Sequence, residues 1–535
     1  MYGATAEEIV RAAAQKIGRT EAEVAGLRIV RRSIDTRLAP RIRWSLAVEF
    51  EGDPALIAGL PPNEAGIVTP AVETPVTPGS EALRGRPVVV GAGPAGLFAA
   101  LALAQRGYRP LLVERGKAVA GRDADVKALV EEGRLNSESN FLFGEGGAGA
   151  YSDGKLTTRT GDSRLKAILE TLVSCGAGES ILIDARPHIG SDVLPGVVTR
   201  LGAKITGLGG EFRFGFRVAR LVLAPDGSVT GVESADGGRL EAGVVILAVG
   251  NSARDIIGSI AEQGVAVEAK PFQVGVRIEH RQRFIDERVY RKEREALPAA
   301  EYIMSCPSAG AARGMATFCM CPGGMIVPAI SEEGHLSTNG MSRSARSGQF
   351  GNAALVVTIN PDELPGGSLP GQLLPGGFPP GQFLPGFEFQ RELERAAFAV
   401  AGDYRAPAQR AEDFLKGRAS RTLPECSYPQ GVTTADLRGI LPEALVRALE
   451  RALPYFDRKM SGFVQNGLLV GVESRVSSPV RIVRDRETLE SVSTPRLYPA
   501  GEGSGYAGGI MTSAADGMRA AEAVIARYAP IQNSG

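Results

Sequence analysis

The chain has 535 residues, 44% hydrophobic and 22% charged, enough to bury globular cores in about three domains. Sixty basic side chains balance sixty acidic ones, so no bulk field recruits nucleic acid or an anionic membrane. Three histidines set far apart and five cysteines argue against a zinc cluster, a histidine-based triad or an extracellular disulfide framework.

Met1–Val10 is polar and acidic without an apolar core. It predicts no secretory signal and, with the cysteine usage, a cytoplasmic protein. Thr5–Ile17 reads as an amphipathic helix, and Leu27–Asp35 and Arg41–Glu49 as strands. The second strand alternates Ile42, Trp44, Leu46 and Val48 against Arg43, Ser45, Ala47 and Glu49. Together they suggest a small α+β module for packing or oligomerisation. Residues 68–80, VTPAVETPVTPGS, read as a linker.

Pro87–Gly116 is the most informative stretch. Val88–Val90 is an apolar β-branched run suited to a buried parallel strand. Gly91, Gly93 and Gly96 follow at GxGxxG spacing. Leu97, Ala100, Leu101 and Ala104 then share one helical face, Gly107 ends the helix, and Pro110–Val113 forms the next strand up to Glu114. The first glycine allows the turn, the second lets a pyrophosphate approach, and the third lets helix and strand pack. The helix N-terminus attracts phosphate, and Glu114 is placed to accept from ribose hydroxyls. The unit predicts dinucleotide binding, with FAD and NAD both open at this point. Residues 87–105 carry no charge, yet the glycine run and the strand–helix break predict a buried unit rather than a membrane span.

Further along, Asp123–Glu132 reads as a polar helix. Phe141–Leu156 packs Gly144, Gly146, Gly147 and Gly149 into six residues, a ligand-contacting loop. His188, among turn residues, reads as a structural hydrogen-bonding group. Residues 210–250 alternate Phe212, Phe214, Phe216 and Val218 and turn through PDGS and ADGG, as a β-meander would, before the buried strand Val244–Gly250. Lys270–Asn360 is mixed strand. The period of Pro365, Pro370, Pro375, Pro380 and Pro385, each followed by glycine, predicts an exposed inserted loop. Helices follow at Phe389–Ala401 and between Pro442 and Pro454. Arg496–Ala500 reads as a strand leading through GEGSGYAGG into a helix near Gly509, so the chain returns to the dinucleotide unit.

GAGPAG with Glu114, VVILAVG and PAGEGSGYAGG together resemble FAD-containing oxidoreductases with a glutathione-reductase-type FAD domain. More narrowly, GEGGAGAYSDGKL, ARPHIGSD, TFCMCPGGMIVPA, TNGMSRSAR, APAQRAEDFL and GVESRVSSPVRI resemble a bacterial family of uncharacterised FAD-dependent dehydrogenases. The resemblance implies an α/β fold: a Rossmann-like FAD-binding domain assembled from discontinuous segments, a mixed β-sheet substrate domain and the small N-terminal α+β module. The expected limits are 1–80 for module and linker, 81–269 and 458–535 for the two FAD-binding parts, and 270–457 for the substrate domain with its Pro-Gly insertion at 361–387. It implies FAD contacts at Gly91, Gly93, Pro94, Ala95, Gly96, Glu114, Arg115, Gly147, Ala148, Lys155, Gly250, Gly501, Glu502, Gly509 and Ile510. Val218 ends a strand where its backbone groups can reach adenine. Glu502 stands where that class usually has Asp. The helix after Gly509 would set its positive end by the flavin ring and favour the anionic reduced form.

The expected activity is oxidation or reduction of a small organic substrate through FAD. NAD(P)H is a candidate visiting reductant, because the chain carries one complete dinucleotide fingerprint. The alternative is a flavin-holding redox sensor or RNA-modification partner, against which the neutral charge weighs. Candidate catalytic groups are Lys155, Cys319 and Cys321. Lys155 reads first as a contact to phosphate or a flavin carbonyl. At i, i+2 in a strand, Cys319 and Cys321 would point to one side, either as small apolar packing or as a redox pair. Arg475 and Arg481 would bind a substrate anion or pair with acidic neighbours. No metal is expected, and the sequence sets no oligomeric state.

Overall fold

The computed structural model describes all residues except 1–4, 25, 38, 59, 62, 69–75, 159, 292–296, 311, 373–383 and 532–535. The linker therefore lies partly, and the Pro-Gly repeat largely, outside the described residues. The apolar run Val88–Val90 is buried and becomes the central strand of a five-stranded parallel sheet. The order is Leu497–Pro499, Val245–Leu247, Val88–Val90, Leu111–Glu114, Glu211–Phe214. A parallel pair needs a crossover, and helix Pro94–Gln105 supplies the first one.

That helix departs from the one-faced pattern expected of it. Every residue from Ala95 to Ala104 is buried, because the helix packs on the sheet and against helices Leu194–Gly207 and Ile510–Arg527. A helix apolar all round needs cover all round. The crossing with Ile510–Arg527 is so close that a Cβ on Gly517 would fall 1.9 Å from the Ala95 carbonyl oxygen.

Glu211–Phe214 is also a correction. It pairs with Leu111–Glu114 as the edge of the parallel sheet, and the meander begins only at Val218–Leu223, continuing through Val229–Ser234 and Arg239–Glu241. Gly215, with φ +69°, separates the two.

The second core lies around an eight-stranded, mainly antiparallel sheet. Its order is Ser305–Cys306, Met315–Pro328, Phe350–Ile359, Phe272–Arg281, Leu468–Glu473, Ala406–Arg410, Val432–Thr434, with Thr338–Ser342 paired to Met315–Pro328. Leu468–Glu473, beyond the boundary expected at 457, is thus an interior strand of this sheet, paired with Phe272–Arg281 and Ala406–Arg410. Helix Glu443–Lys459 covers the sheet and runs through Pro454 rather than stopping there. Proline removes one backbone hydrogen bond, which burial of Leu445, Leu449, Leu453 and Phe456 on one face offsets. The next correction is helix Pro385–Ala399, which starts four residues before the expected Phe389. Pro385 occupies the first turn, where a fixed φ suits a helix, and Leu384 and Phe387 anchor it in the core.

At the N-terminus, helix Ala6–Ile17 starts at a Thr5–Glu8 capping box, and Arg28–Asp35 pairs antiparallel with Arg43–Glu49. The hairpin docks through Arg32, whose amide donates to the Ile183 carbonyl at 2.7 Å and whose side chain pairs with Asp184.

Candidate functional site

Between the parallel sheet and the large sheet lies a cavity of about 410 Å³. On the parallel-sheet side it is lined by Gly91, Gly93, Pro94, Ala95, Glu114, Arg115, Gly147, Ala148, Val218 and Gly250. Glu502, Gly509 and Ile510 bring the N-terminus of helix Ile510–Arg527 to it, and Lys155, Cys319, Thr338, Asn339 and Glu473 line the wall beside the large sheet. Of the expected FAD contacts and catalytic candidates, Gly96, Gly501 and Cys321 lie outside the lining.

The glycines fit a dinucleotide for different reasons. A Cβ on Gly96 would stand 1.8 Å from the Gly91 carbonyl oxygen, so this position serves packing. A Cβ on Gly93 would meet nothing nearer than Gly147 Cα at 3.9 Å, so the helix N-terminus there opens into the cavity. Helix ends carry unpaired N–H groups and a positive dipole end, which suits a pyrophosphate.

Glu114 does more than the ribose role expected of it. Its carboxylate accepts from the amides of Ala92 at 2.8 Å, Gly144 at 2.9 Å and Gly116 at 3.0 Å, tying the fingerprint turn to the second glycine loop. An ionised carboxylate has about four acceptor sites, so one stays available to a hydroxyl in the cavity. Buried Arg122 fixes the same loop by donating to the carbonyls of Asn140 at 2.8 Å and Glu145 at 2.7 Å. Arg115 stacks on Phe143 and pairs with Glu138 at 2.7 Å. At the C-terminal motif, the Gly501 amide donates to Asp516 at 2.8 Å, and Arg484 pairs with that carboxylate at 2.7 Å. Glu502 accepts from Asn251 at 3.1 Å, and burial pushes its carboxyl up to about 7 against the opposing pull of Lys270.

The large-sheet wall carries the charged chemistry. Arg277, at the centre of an apolar strand and fully buried, pairs with Glu473 at 2.6 Å and donates to Asn339 at 2.7 Å and to the Cys319 carbonyl at 3.0 Å. Burial pushes the Glu473 carboxyl up to about 7, with Arg277 pulling it back. Lys155 lines the cavity among acid and sulfur groups. Its Nζ lies 3.0 Å from Asp153, 3.7 Å from Cys321 Sγ and 4.0 Å from Cys319 Sγ. Burial opposes its charge, but the two sulfurs and Asp153 hold the ammonium firmly protonated.

The cysteine pair is not arranged by simple strand alternation. The register slips between Phe318, opposite Ala354, and Cys321, opposite Asn352, and Cys319 sits in this bulge at φ +43°. Cys319 therefore faces the cavity while Cys321 is fully buried behind it. Both thiols are free.

His188 hydrogen-bonds the Ser344 carbonyl at 3.0 Å, as expected of a structural histidine. Arg475 lines the cavity but is taken up by Glu394 at 2.9 Å, and Arg481 by Glu268 at 2.7 Å. Sequence reasoning missed Asp153, Arg277, Asn339 and Glu473 as parts of the site. The available signal was an arginine directly after the apolar run VGV in FQVGVRIEH and a glutamate closing the apolar run of LLVGVE. Among the described residues no cluster of His, Cys, Asp or Glu could hold a metal, and no helix is long and apolar enough to cross a membrane.

A Rossmann-like sheet whose glycine-lined helix N-terminus opens on a cavity, closed by a second sheet, suits a bound dinucleotide. Residues 89–146 match the NAD(P)-binding Rossmann-like domain, and residues 271–476 match the domain described as FAD-dependent protein, C-terminal domain-like. An uncharacterised protein of Clostridium beijerinckii is 39% identical over 522 residues, covering 96% of this chain and 95% of its own. The chain belongs to this family of FAD-dependent proteins. Among solved structures, glycine oxidase from Bacillus cereus is similar at 11% identity and TM-score 0.34, over 82% of this chain and 95% of its own. Amadoriase I, the fructosyl amine:oxygen oxidoreductase of Aspergillus fumigatus, is similar at 13% identity and TM-score 0.33, over 84% of this chain and 88% of its own.

Proposed function

We propose that the chain holds one FAD along this cavity and exchanges two electrons with a small organic molecule at the wall formed by Lys155, Cys319 and Glu473. The observation that carries this reading is a continuous cavity reaching from the open N-terminus at Gly93 to those three side chains. Gly93, Pro94 and Ala95, with Gly147 and Ala148, would receive the pyrophosphate. Glu114 would receive the ribose, and Val218 would lie by the adenine. Gly250, Glu502, Gly509 and Ile510 would border the ring system, with the positive end of helix Ile510–Arg527 favouring negative charge there. When bound, FAD supplies the two-electron chemistry.

The chain's own groups orient substrate and manage protons. Glu473 and Glu502, both pushed up to about 7, can each hold or release a proton near neutral pH. Lys155 supplies a fixed cation for an anionic substrate group. NAD(P)H is one reductant that could enter from solvent. The test is anaerobic mixing of the purified protein with NADH, NADPH and candidate organic donors, followed at the flavin absorbance band, and then an acceptor screen. The expected result is one FAD per chain, bleached by at least one donor and restored by an acceptor. A protein purified without flavin that takes up none on titration would overturn the reading.

A further inference from the structure

We propose that Cys319 and Cys321 form a thiol–disulfide exchange centre on the large-sheet wall of the cavity. In it Cys319 attacks a small-molecule disulfide, Cys321 resolves the adduct, and Lys155 is the counter-cation. The inference rests on the cavity being the redox site proposed above, and it adds a nucleophile and a substrate class to that site.

Three features carry it. First, the bulge divides the pair into an attacking and a resolving partner. Cys319 is half-buried and lines the cavity, whereas Cys321 has no exposed surface. A non-glycine residue at φ +43° is unusual, and this one turns a sulfur toward the cavity while its neighbour two positions on stays behind it. Second, one cation serves both sulfurs. Lys155 Nζ lies 4.0 Å from Cys319 Sγ and 3.7 Å from Cys321 Sγ, while Asp153 at 3.0 Å holds it in place. Arg346, 2.8 Å from Asp153, in turn fixes that carboxylate. Third, the pair shares a proton unequally. The hydrogen bond from Cys321, then Lys155 and Arg277, hold the Cys319 thiol well below the usual thiol range against the cost of burial. The same hydrogen bond and burial push Cys321 up. The Cys321 thiol also donates to the Cys319 carbonyl at 3.3 Å, which keeps a proton on the buried sulfur and leaves Cys319, at the cavity, as the attacking sulfur.

The step balances without an outside oxidant. The Cys319 thiolate attacks one sulfur of R–S–S–R′, that bond breaks, and R′S⁻ leaves. Cys321 then gives its proton to a departing thiolate and attacks Cys319 Sγ. The mixed disulfide breaks, RS⁻ leaves, and the Cys319–Cys321 bond closes. One disulfide is exchanged for another, and the sequence runs in either direction. Phe318, 46% exposed and lining the same cavity, offers an apolar contact to the carbon part of such a substrate.

The test uses FAD-loaded protein equilibrated in stepped mixtures of 2-mercaptoethanol and 2-hydroxyethyl disulfide, acid-quenched and mapped by peptide mass, with the flavin-to-protein ratio recorded for every variant. Wild type should lose two hydrogens across Cys319 and Cys321 reversibly. Cys321→Ser should accumulate a hydroxyethylthio adduct on Cys319, and Cys319→Ser should leave Cys321 unmodified. Lys155→Met should slow adduct formation on Cys319 at neutral pH by about tenfold and move its alkylation profile to higher pH. A wild type that stays dithiol throughout, or an adduct on Cys321 instead of Cys319, overturns the proposal. If FAD is bound fully while the thiols are inert, this inference fails alone. If the thiols exchange in a protein that binds no FAD, the redox-site reading fails and the exchange centre stands.

Discussion

Replacing Gly93 by Asp tests the phosphate end. Because a Cβ there meets nothing nearer than 3.9 Å, the fold should accept the side chain and aim it into the cavity. Two negative charges about 4 Å apart at an effective dielectric near 20 repel by about 4 kcal/mol. That corresponds to about a thousandfold loss of FAD affinity. Gly93→Ala, with bulk but no charge, should lose much less. Gly96→Ala is the contrast, because its Cβ would overlap the Gly91 carbonyl oxygen at 1.8 Å and cost the fold as well as the flavin. The assay is fluorescence titration of FAD into apoprotein, paired with thermal melting of each apo variant. A Gly93→Asp affinity within about threefold of wild type would refute the phosphate placement. Melting of that variant as low as Gly96→Ala would refute the claim that the position opens on a cavity.

Glu394 is fully buried between Arg254 at 2.7 Å and Arg475 at 2.9 Å, so Glu394→Gln strands two guanidinium groups. Glu332 compensates in part, so the loss should be about 3 kcal/mol in urea titration, against under about 0.5 kcal/mol for Glu412→Gln in the exposed Glu412–Lys416 pair. Glu502 binds a proton more tightly folded, at about 7, than unfolded, near 4.5. It therefore contributes apoprotein stability that is full below the unfolded value and lost as pH rises through about 7, and Glu502→Gln should flatten that fall in melting temperature. Deleting residues 373–382 should leave FAD content unchanged, since loop length alters closure entropy slowly. Extending the deletion through Pro385 should lower it, because Leu384 is only 2% exposed in the core that also holds Val88 and Val245. Flavin-to-protein ratios of the two deletions check this pair.

The parts legible in the sequence are those whose physics is local. The fingerprint glycines, the strand Val88–Val90 and the helix near Gly509 needed only spacing and burial pattern. The missed parts depend on partners far along the chain. Arg277 carries no local mark of its role, because its partner Glu473 is 196 residues away. Strand alternation placed Cys319 and Cys321 together for the wrong reason, since a bulge against Phe350–Ile359 sets their geometry. Lys155 read as a contact to phosphate or a flavin carbonyl from its place in the glycine loop, while its setting between Asp153 and two sulfurs 164 and 166 residues away had no local signal. Helix Pro385–Ala399 hid behind a Pro-Gly repeat whose last proline starts it.

The two ends of the FAD-binding fold meet late in synthesis. Glu81–Ala82 pairs with Tyr528–Ala529, and the Gly79 amide donates to the Ile525 carbonyl at 2.8 Å. Tyr108 and Ile525, hydrogen-bonded in the finished protein, are 417 residues apart. At about 5–20 residues per second, a ribosome takes about 20–80 s to cover that interval. For most of it the helix Pro94–Gln105 stands outside the exit tunnel without the helix that covers it, and the sheet lacks the strand Leu497–Pro499. The nascent chain must keep this apolar surface from other chains until Leu497–Pro499 and Ile510–Arg527 have been made. The cavity lining at Glu502, Gly509 and Ile510 is made only at the end of this interval, so chains truncated before Leu497 should bind no FAD and aggregate on expression.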